Sequence, residues 1–160
     1  MNNQILEKSR ELVLLLKANN MTIATAESCT GGMVSSYITA VPGASSVIEM
    51  GITSYSNRIK NSFLKVDSET LKNFGAVSVQ TATEMARNIR EIANADIGAS
   101  VTGVAGPDGQ DGYNAGVVFI GISTAKGTKV TKLEIEPKDR NFVRERATYL
   151  LLEAILDTIR

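Results

Sequence analysis

The chain has no histidine and no tryptophan, and its 160 residues include one cysteine and three prolines. The missing histidine removes the commonest general base, so neither a Ser–His–Asp nor a Cys–His arrangement can be assembled within one chain. It also leaves carboxylates and a single thiol as the available metal donors, a poor set for catalytic zinc. No metal and no cofactor is therefore expected. One cysteine excludes an internal disulfide framework. An excess of charge of one sign is lacking too, since seventeen Lys and Arg balance seventeen Asp and Glu. No basic stripe with interleaved aromatics is present, so the electrostatic footprint of a nucleic-acid binder is absent. The apolar runs fall far short of a membrane span, and Met1-Asn2-Asn3-Gln4 does not open a signal peptide. Neither nucleic acid nor membrane is expected as a partner, and the default location is the cytoplasm.

What is present fits one soluble domain spanning 1–160: 43% apolar residues, a mean hydropathy of zero, and enough length for a real core. Apolar periodicity predicts an amphipathic helix over Asn2–Lys17 and a strand over Met21–Thr25, followed by a helix over Met33–Ala40. A second strand is expected over Val47–Ser56. A short helix then starts around Asn57, and another is capped by Asp67 or Ser68 and ends near Gly75. Ser78 is a good N-cap for a helix over Val79–Ala93. Strands over Ile97–Ala105, Val117–Thr124 and Lys129–Glu136 follow, the last two as a hairpin about Lys126-Gly127. Asp139 caps a final helix over Arg140–Ile159. This alternation implies an α/β protein, a three-layer α/β/α sandwich on a mixed, mostly parallel sheet.

The chain is organised around Ala26-Glu27-Ser28-Cys29-Thr30-Gly31-Gly32. A strand entering a Ser/Thr/Gly turn and then a helix brings small polar groups and free helix N–H groups to one spot. Such a spot suits an anion, or an oxygen that becomes one during a reaction, and equally a capped turn without chemistry. Two more polar clusters, Tyr55 to Lys60 and Thr102 to Gly106, fall at predicted carboxyl ends of strands. That edge is where ligands sit in open α/β sheets.

Without histidine, a nucleophilic Ser28 needs Lys, Tyr or a carboxylate as its base. Lys60 can serve if burial lowers its pKa from about 10.4; otherwise it is a surface lysine. Tyr55 can relay a proton, orient Ser28 or donate to a leaving group, or can be a plain sheet-edge aromatic. Cys29 is either a rival nucleophile or a small packing residue. Glu27 can bind a cation or a ribose hydroxyl, or cap a helix. Asp108-Gly109-Gln110-Asp111-Gly112 lacks the terminal glutamate of a calcium loop and reads as a turn. Arg140 and Arg144, one helical turn apart, either clamp a phosphate or are solvated surface charge.

The three clusters, with Thr102-Gly103-Val104-Ala105-Gly106-Pro107 as the third, resemble the CinA C-terminal domain family over nearly the whole chain from Ala18. Its best-described activity is nicotinamide mononucleotide amidohydrolase, and larger relatives carry an extra N-terminal domain. The resemblance implies a serine nucleophile with lysine and tyrosine in the site and no metal, which carries over to Ser28, Lys60 and Tyr55. It implies that Thr102, Gly103, Gly106, Arg140 and Arg144 bind a small nucleotide substrate; to these the residues themselves add Glu27 and Asn57, and Thr30, Gly31 and Gly32, whose N–H groups are expected to meet the oxyanion. It also implies a homo-oligomer, a dimer or larger. One departure is that residues 108–116 replace a longer Gly and Thr-Pro run, which bears on the substrate. Two functions follow as expectations. One is an amidohydrolase of pyridine nucleotide recycling. The alternative is a weakly active or inactive nucleotide- or partner-binding module linked to competence or the DNA-damage response.

Overall fold

The computed structural model describes residues 2–160. In chain order the elements are α1 (Asn2–Ala18), β1 (Ile23–Glu27), α2 (Met33–Thr39), a 3-10 turn (Ala44–Ser46), β2 (Ile48–Thr53), α3 (Asn57–Ser62), α4 (Ser68–Phe74), α5 (Val79–Ala93), β3 (Ile97–Gly103), β4 (Val117–Thr124), β5 (Gly127–Glu134) and α6 (Arg140–Ile159). The sheet order is β2-β1-β3-β4-β5. β1 pairs parallel with β2 and β3, whereas β4 runs antiparallel to β3 and to β5. Four of the five strands thus point the same way.

Sequence caps set several helix starts. Asp67, Ser78 and Asp139 each accept a hydrogen bond from a backbone N–H in the first turn of the helix they precede, which satisfies one of its orphan donors. The strand bounds differ from expectation. β1 begins two residues later than Met21 and runs on to Glu27, because its ladders pair Glu27 with Thr53 and Val101. The 3-10 turn at Ala44–Ser46 was not expected.

Alternation along the strands divides the core. Ile23 joins α1, α2 and α6 in one cluster through Ile5, Leu12, Val34, Ile38, Leu151 and Ile155. Ala24 and Ala26 face the other way, against Leu64, Val66, Leu71, Met85 and Ile89. Small residues on that second face let α5 lie close to the sheet. A Cβ at Gly98 would stand 2.1 Å from the carbonyl oxygen of Ala86 and 2.6 Å from the Cβ of Arg90. Gly98→Ala is accordingly expected to destabilise the fold by about 3 kcal/mol, read as a fall in the urea midpoint at unchanged slope. Among the described residues, no helix is long and apolar enough to cross a membrane.

Candidate active site

Parallel pairing brings the carboxyl ends of β1, β2 and β3 to one sheet edge, and the residues just beyond them build a cavity of about 350 Å³. Ser28 leaves β1, with its N–H donating to Val101 O at 3.0 Å. Successive strand residues point to opposite faces, so Glu27 turns towards α2 and Ser28 towards α3. Lys60 lies on α3 and is 1% exposed. Its Nζ stands 3.0 Å from Ser28 Oγ, 2.7 Å from Ser54 O and 3.3 Å from Tyr55 O.

All three of these partners are neutral oxygens. A protonated Lys60 donates to each. A neutral one keeps two N–H bonds for the two carbonyls and turns its lone pair to the Ser28 hydroxyl. Burial lowers the Lys60 pKa to about 8, partly opposed by the charge of Asp111. Desolvation disfavours the ammonium, and no carboxylate is bonded to Nζ to restore it. About a tenth of molecules therefore carry the free base at pH 7. Cys29 also lines the cavity, yet burial first, and the nearby Glu27 charge with it, pushes its thiol up to about 12. A thiol in that state is no nucleophile near neutral pH.

Glu27 does not reach the cavity. It is 1% exposed. Its carboxylate accepts from Thr30 Oγ1 at 2.7 Å, from the N–H groups of Gly32, Val34 and Ser35 at 2.9–3.0 Å, and from Ser35 Oγ at 2.9 Å. The start of α2, expected to receive an anion from outside, is thus filled by the chain's own carboxylate. Thr30, Gly31 and Gly32 form the turn that closes on it and do not line the cavity. The N–H groups of Cys29, Ala105 and Gly106 do belong to wall residues. Among the described residues they donate to no oxygen of the chain.

Tyr55 is 59% exposed. Its hydroxyl accepts from Arg140 Nη2 at 2.8 Å, and Arg140 Nη1 donates to Gly106 O. Ser28 and Lys60 touch directly, so no gap is left for a tyrosine relay between them. Thr102, Gly103 and Gly106 line the cavity, and Thr102 Oγ1 donates to Ala76 O at 2.8 Å. Asn57 is exposed at the start of α3 and off the wall. Arg144 is also off the wall. It donates to Cys29 O at 3.2 Å and Thr30 O at 2.9 Å, so it holds the Ser28 turn from outside. The two arginines therefore do not form one clamp.

Sequence reasoning missed Ala76 and Val77, which complete the wall together with Asp108, Gly109 and Gln110 of the departing loop. The signal for the loop was its own departure in pattern. Asp111 fastens that loop across the cavity by accepting from Val77 N at 3.0 Å. Among the described residues, no group of three or more Cys, Asp or Glu is placed to hold a metal ion.

Comparison with known proteins bears on this arrangement. The sequence model described as CinA C-terminal domain matches residues 6–159. A "Putative competence-damage inducible protein" of Acetivibrio thermocellus is 50% identical over 131 residues, which is 81% of this chain and 32% of that protein. A "CinA-like protein" of Kosmotoga olearia is 46% identical over 93% of this chain and 36% of its own length. The chain thus spans about a third of the curated relatives it matches. Among solved structures, a competence or damage-inducible protein from Enterobacter asburiae superposes with a TM-score of 0.94 at 35% identity, covering 98% of both chains. A competence/damage inducible protein from Agrobacterium tumefaciens gives 0.94 at 31% identity over 98% of this chain and 96% of its own. Sequence and architecture agree along nearly the whole length: the chain belongs to the CinA C-terminal domain family.

Proposed function

We propose that this chain is a serine amidohydrolase that deamidates nicotinamide mononucleotide to nicotinate mononucleotide and ammonia, a step of pyridine nucleotide recycling. The observation that carries the reading is the buried Lys60 set 3.0 Å from Ser28 Oγ with neutral oxygens as its other partners. Neutral Lys60 takes the Ser28 proton as Oγ attacks the carboxamide carbon. The oxyanion of the tetrahedral intermediate is met by free N–H groups of the wall, Cys29 and Ala105 or Gly106, each such donor being worth about 3 kcal/mol. The Lys60 ammonium returns its proton to the departing nitrogen, which leaves as ammonia. Water, deprotonated in turn by Lys60, then releases the acid and restores Ser28. Arg140 and Tyr55 supply the rim at which the nucleotide's phosphate is held, with Thr102, Gly103 and Gly106 along the wall.

Ammonia release from nicotinamide mononucleotide, matched one to one by nicotinate mononucleotide, is the expected result. Absence of both at high enzyme concentration overturns the reading. Activity is also expected to survive exhaustive EDTA treatment, since among the described residues no metal-holding cluster is placed at the site. Loss on chelation, restored by Mg²⁺ or Mn²⁺, would overturn the metal-free mechanism.

A second reading is a pocket that binds a nucleotide or a partner and turns over little. It rests on Arg140, which already bridges Tyr55 and Gly106 across the rim. Saturable binding without ammonia release would favour it. Under either reading we place the protein in the cytoplasm as a homo-oligomer of two or more chains, a state that light scattering measures directly.

A further inference from the structure

We infer that Glu27 is a positioning residue for the nucleophile, an internal anion whose hydrogen bonds to the start of α2 fix the turn from which Ser28 projects. The inference rests on Ser28 being the nucleophile, as proposed above, and goes beyond that assignment.

Three observations support it. First, the carboxylate makes five hydrogen bonds, all to donors within Thr30–Ser35. None of these donors is a cation. Its charge is therefore met by the dipoles of the turn and of the first turn of α2. Second, Glu27 is a β1 residue locked in register with Thr53 and Val101. The bonds tie the far side of the turn to the sheet one residue before Ser28. Third, Arg144 holds the same turn from the opposite side through the carbonyls of Cys29 and Thr30. The N–H groups of Gly32, Val34 and Ser35 go to Glu27 and the carbonyls of Cys29 and Thr30 go to Arg144, so the turn is held from both sides while the Cys29 N–H stays free among the described residues. Little freedom remains for Ser28 to leave Lys60.

An amide at position 27 cannot do this. Glutamine offers one acceptor oxygen and turns an NH₂ group towards donors that the second carboxylate oxygen now satisfies. At least one N–H of α2 loses its acceptor, and the turn must shift to relieve facing donors. A displacement on the order of 1 Å at a reacting atom costs about a hundredfold in rate.

The test compares wild type with Glu27→Gln and with Ser35→Ala, which removes one of the five hydrogen bonds while leaving the carboxylate in place. Two rates are read well below the melting temperature of each variant. One is kcat and KM for ammonia release across pH. The other is phosphonylation of Ser28 by a small fluorophosphonate, in which Oγ displaces fluoride and its proton passes to Lys60. For Glu27→Gln we expect both kcat and phosphonylation to fall about a hundredfold. KM should stay within about threefold, and the acid limb of the pH profile should stay in place. Ser35→Ala should fall between the two.

Wild-type rates per folded molecule in Glu27→Gln, with only a lower melting temperature, would overturn the inference. A displaced acid limb with an intact plateau would also overturn it, because that marks a field acting on Lys60 and not a displaced Ser28. If Glu27→Gln does not fold, an undiminished phosphonylation rate in Ser35→Ala overturns it. Phosphonylation reads Ser28 without the nucleotide. A wild type that is phosphonylated but releases no ammonia therefore refutes the substrate while leaving the Glu27 comparison decisive. A wild type that resists phosphonylation removes the nucleophile and this inference together.

Discussion

Ser28→Ala is expected to lower turnover by about 10⁴-fold to 10⁶-fold, the range seen when a nucleophile acting in concert with its base is removed. The fold should barely notice. Ser28 is 9% exposed on the cavity wall, and its structural bond, from its N–H to Val101 O, belongs to the backbone. Only the Lys60 contact is lost, worth about 1 kcal/mol. The companion variant Cys29→Ala should keep its rate within a few-fold, because a thiol pushed up to about 12 supplies no thiolate at neutral pH. Measuring kcat and melting temperature for both settles the assignment. The reverse pattern, with Cys29→Ala dead and Ser28→Ala active, would make the cysteine the nucleophile.

Lys60 carries the second large expectation, in rate and in stability. As base it must be neutral, so kcat/KM should rise about tenfold per pH unit up to a limb near pH 8 and level off above it. Lys60→Arg should be nearly as damaging as Lys60→Met, because guanidinium stays charged throughout this range. An arginine variant retaining most of its kcat would assign Lys60 to charge and not to proton transfer. Stability gives an independent measure. The pKa of Lys60 is lowered from 10.5 to about 8 in the folded chain, so the unfolded chain binds the extra proton between those values. Folded stability should therefore rise with pH from about 8 to about 10.5, by up to about 1.4 kcal/mol per pH unit. Below pH 8 the buried ammonium costs about 3 kcal/mol in full. The stability difference between Lys60→Met and wild type should shrink across this window. A difference that stays flat across it would remove the lowered pKa.

Much of this was legible in the sequence because local chemistry fixed it. The bounds of α5 and α6 follow from Ser78, Asp139 and the apolar spacing behind them. The meeting of Ser28, Lys60 and the Thr102–Gly106 loop follows from parallel strands sharing one edge. What escaped was governed by direction and distance. Glu27 stood between a ligand contact and a helix cap, and the cap was hard to prefer because its partners Val34 and Ser35 lie seven and eight residues on, beyond the usual capping spacing. Arg144 was paired with Arg140 by helical period, yet only Arg140 stands on the wall. Helical period shows that two residues are neighbours, not what each one reaches. Tyr55 was linked to Ser28 by its place at the same sheet edge as well as by the resemblance, while its hydroxyl is taken by Arg140.

The bond from Arg144 to Thr30 O spans 114 residues of chain, and this dictates when the site can exist. Contacts so distant in sequence form only after a large loop closes. During synthesis the Ser28 turn emerges first, and the helix that fastens its carbonyls emerges more than a hundred residues later. Ser28 therefore cannot be held from both sides until α6 has docked against α1 and the sheet. An intact site becomes a property of the whole domain, and recovery of phosphonylation during refolding should follow the packing of α6.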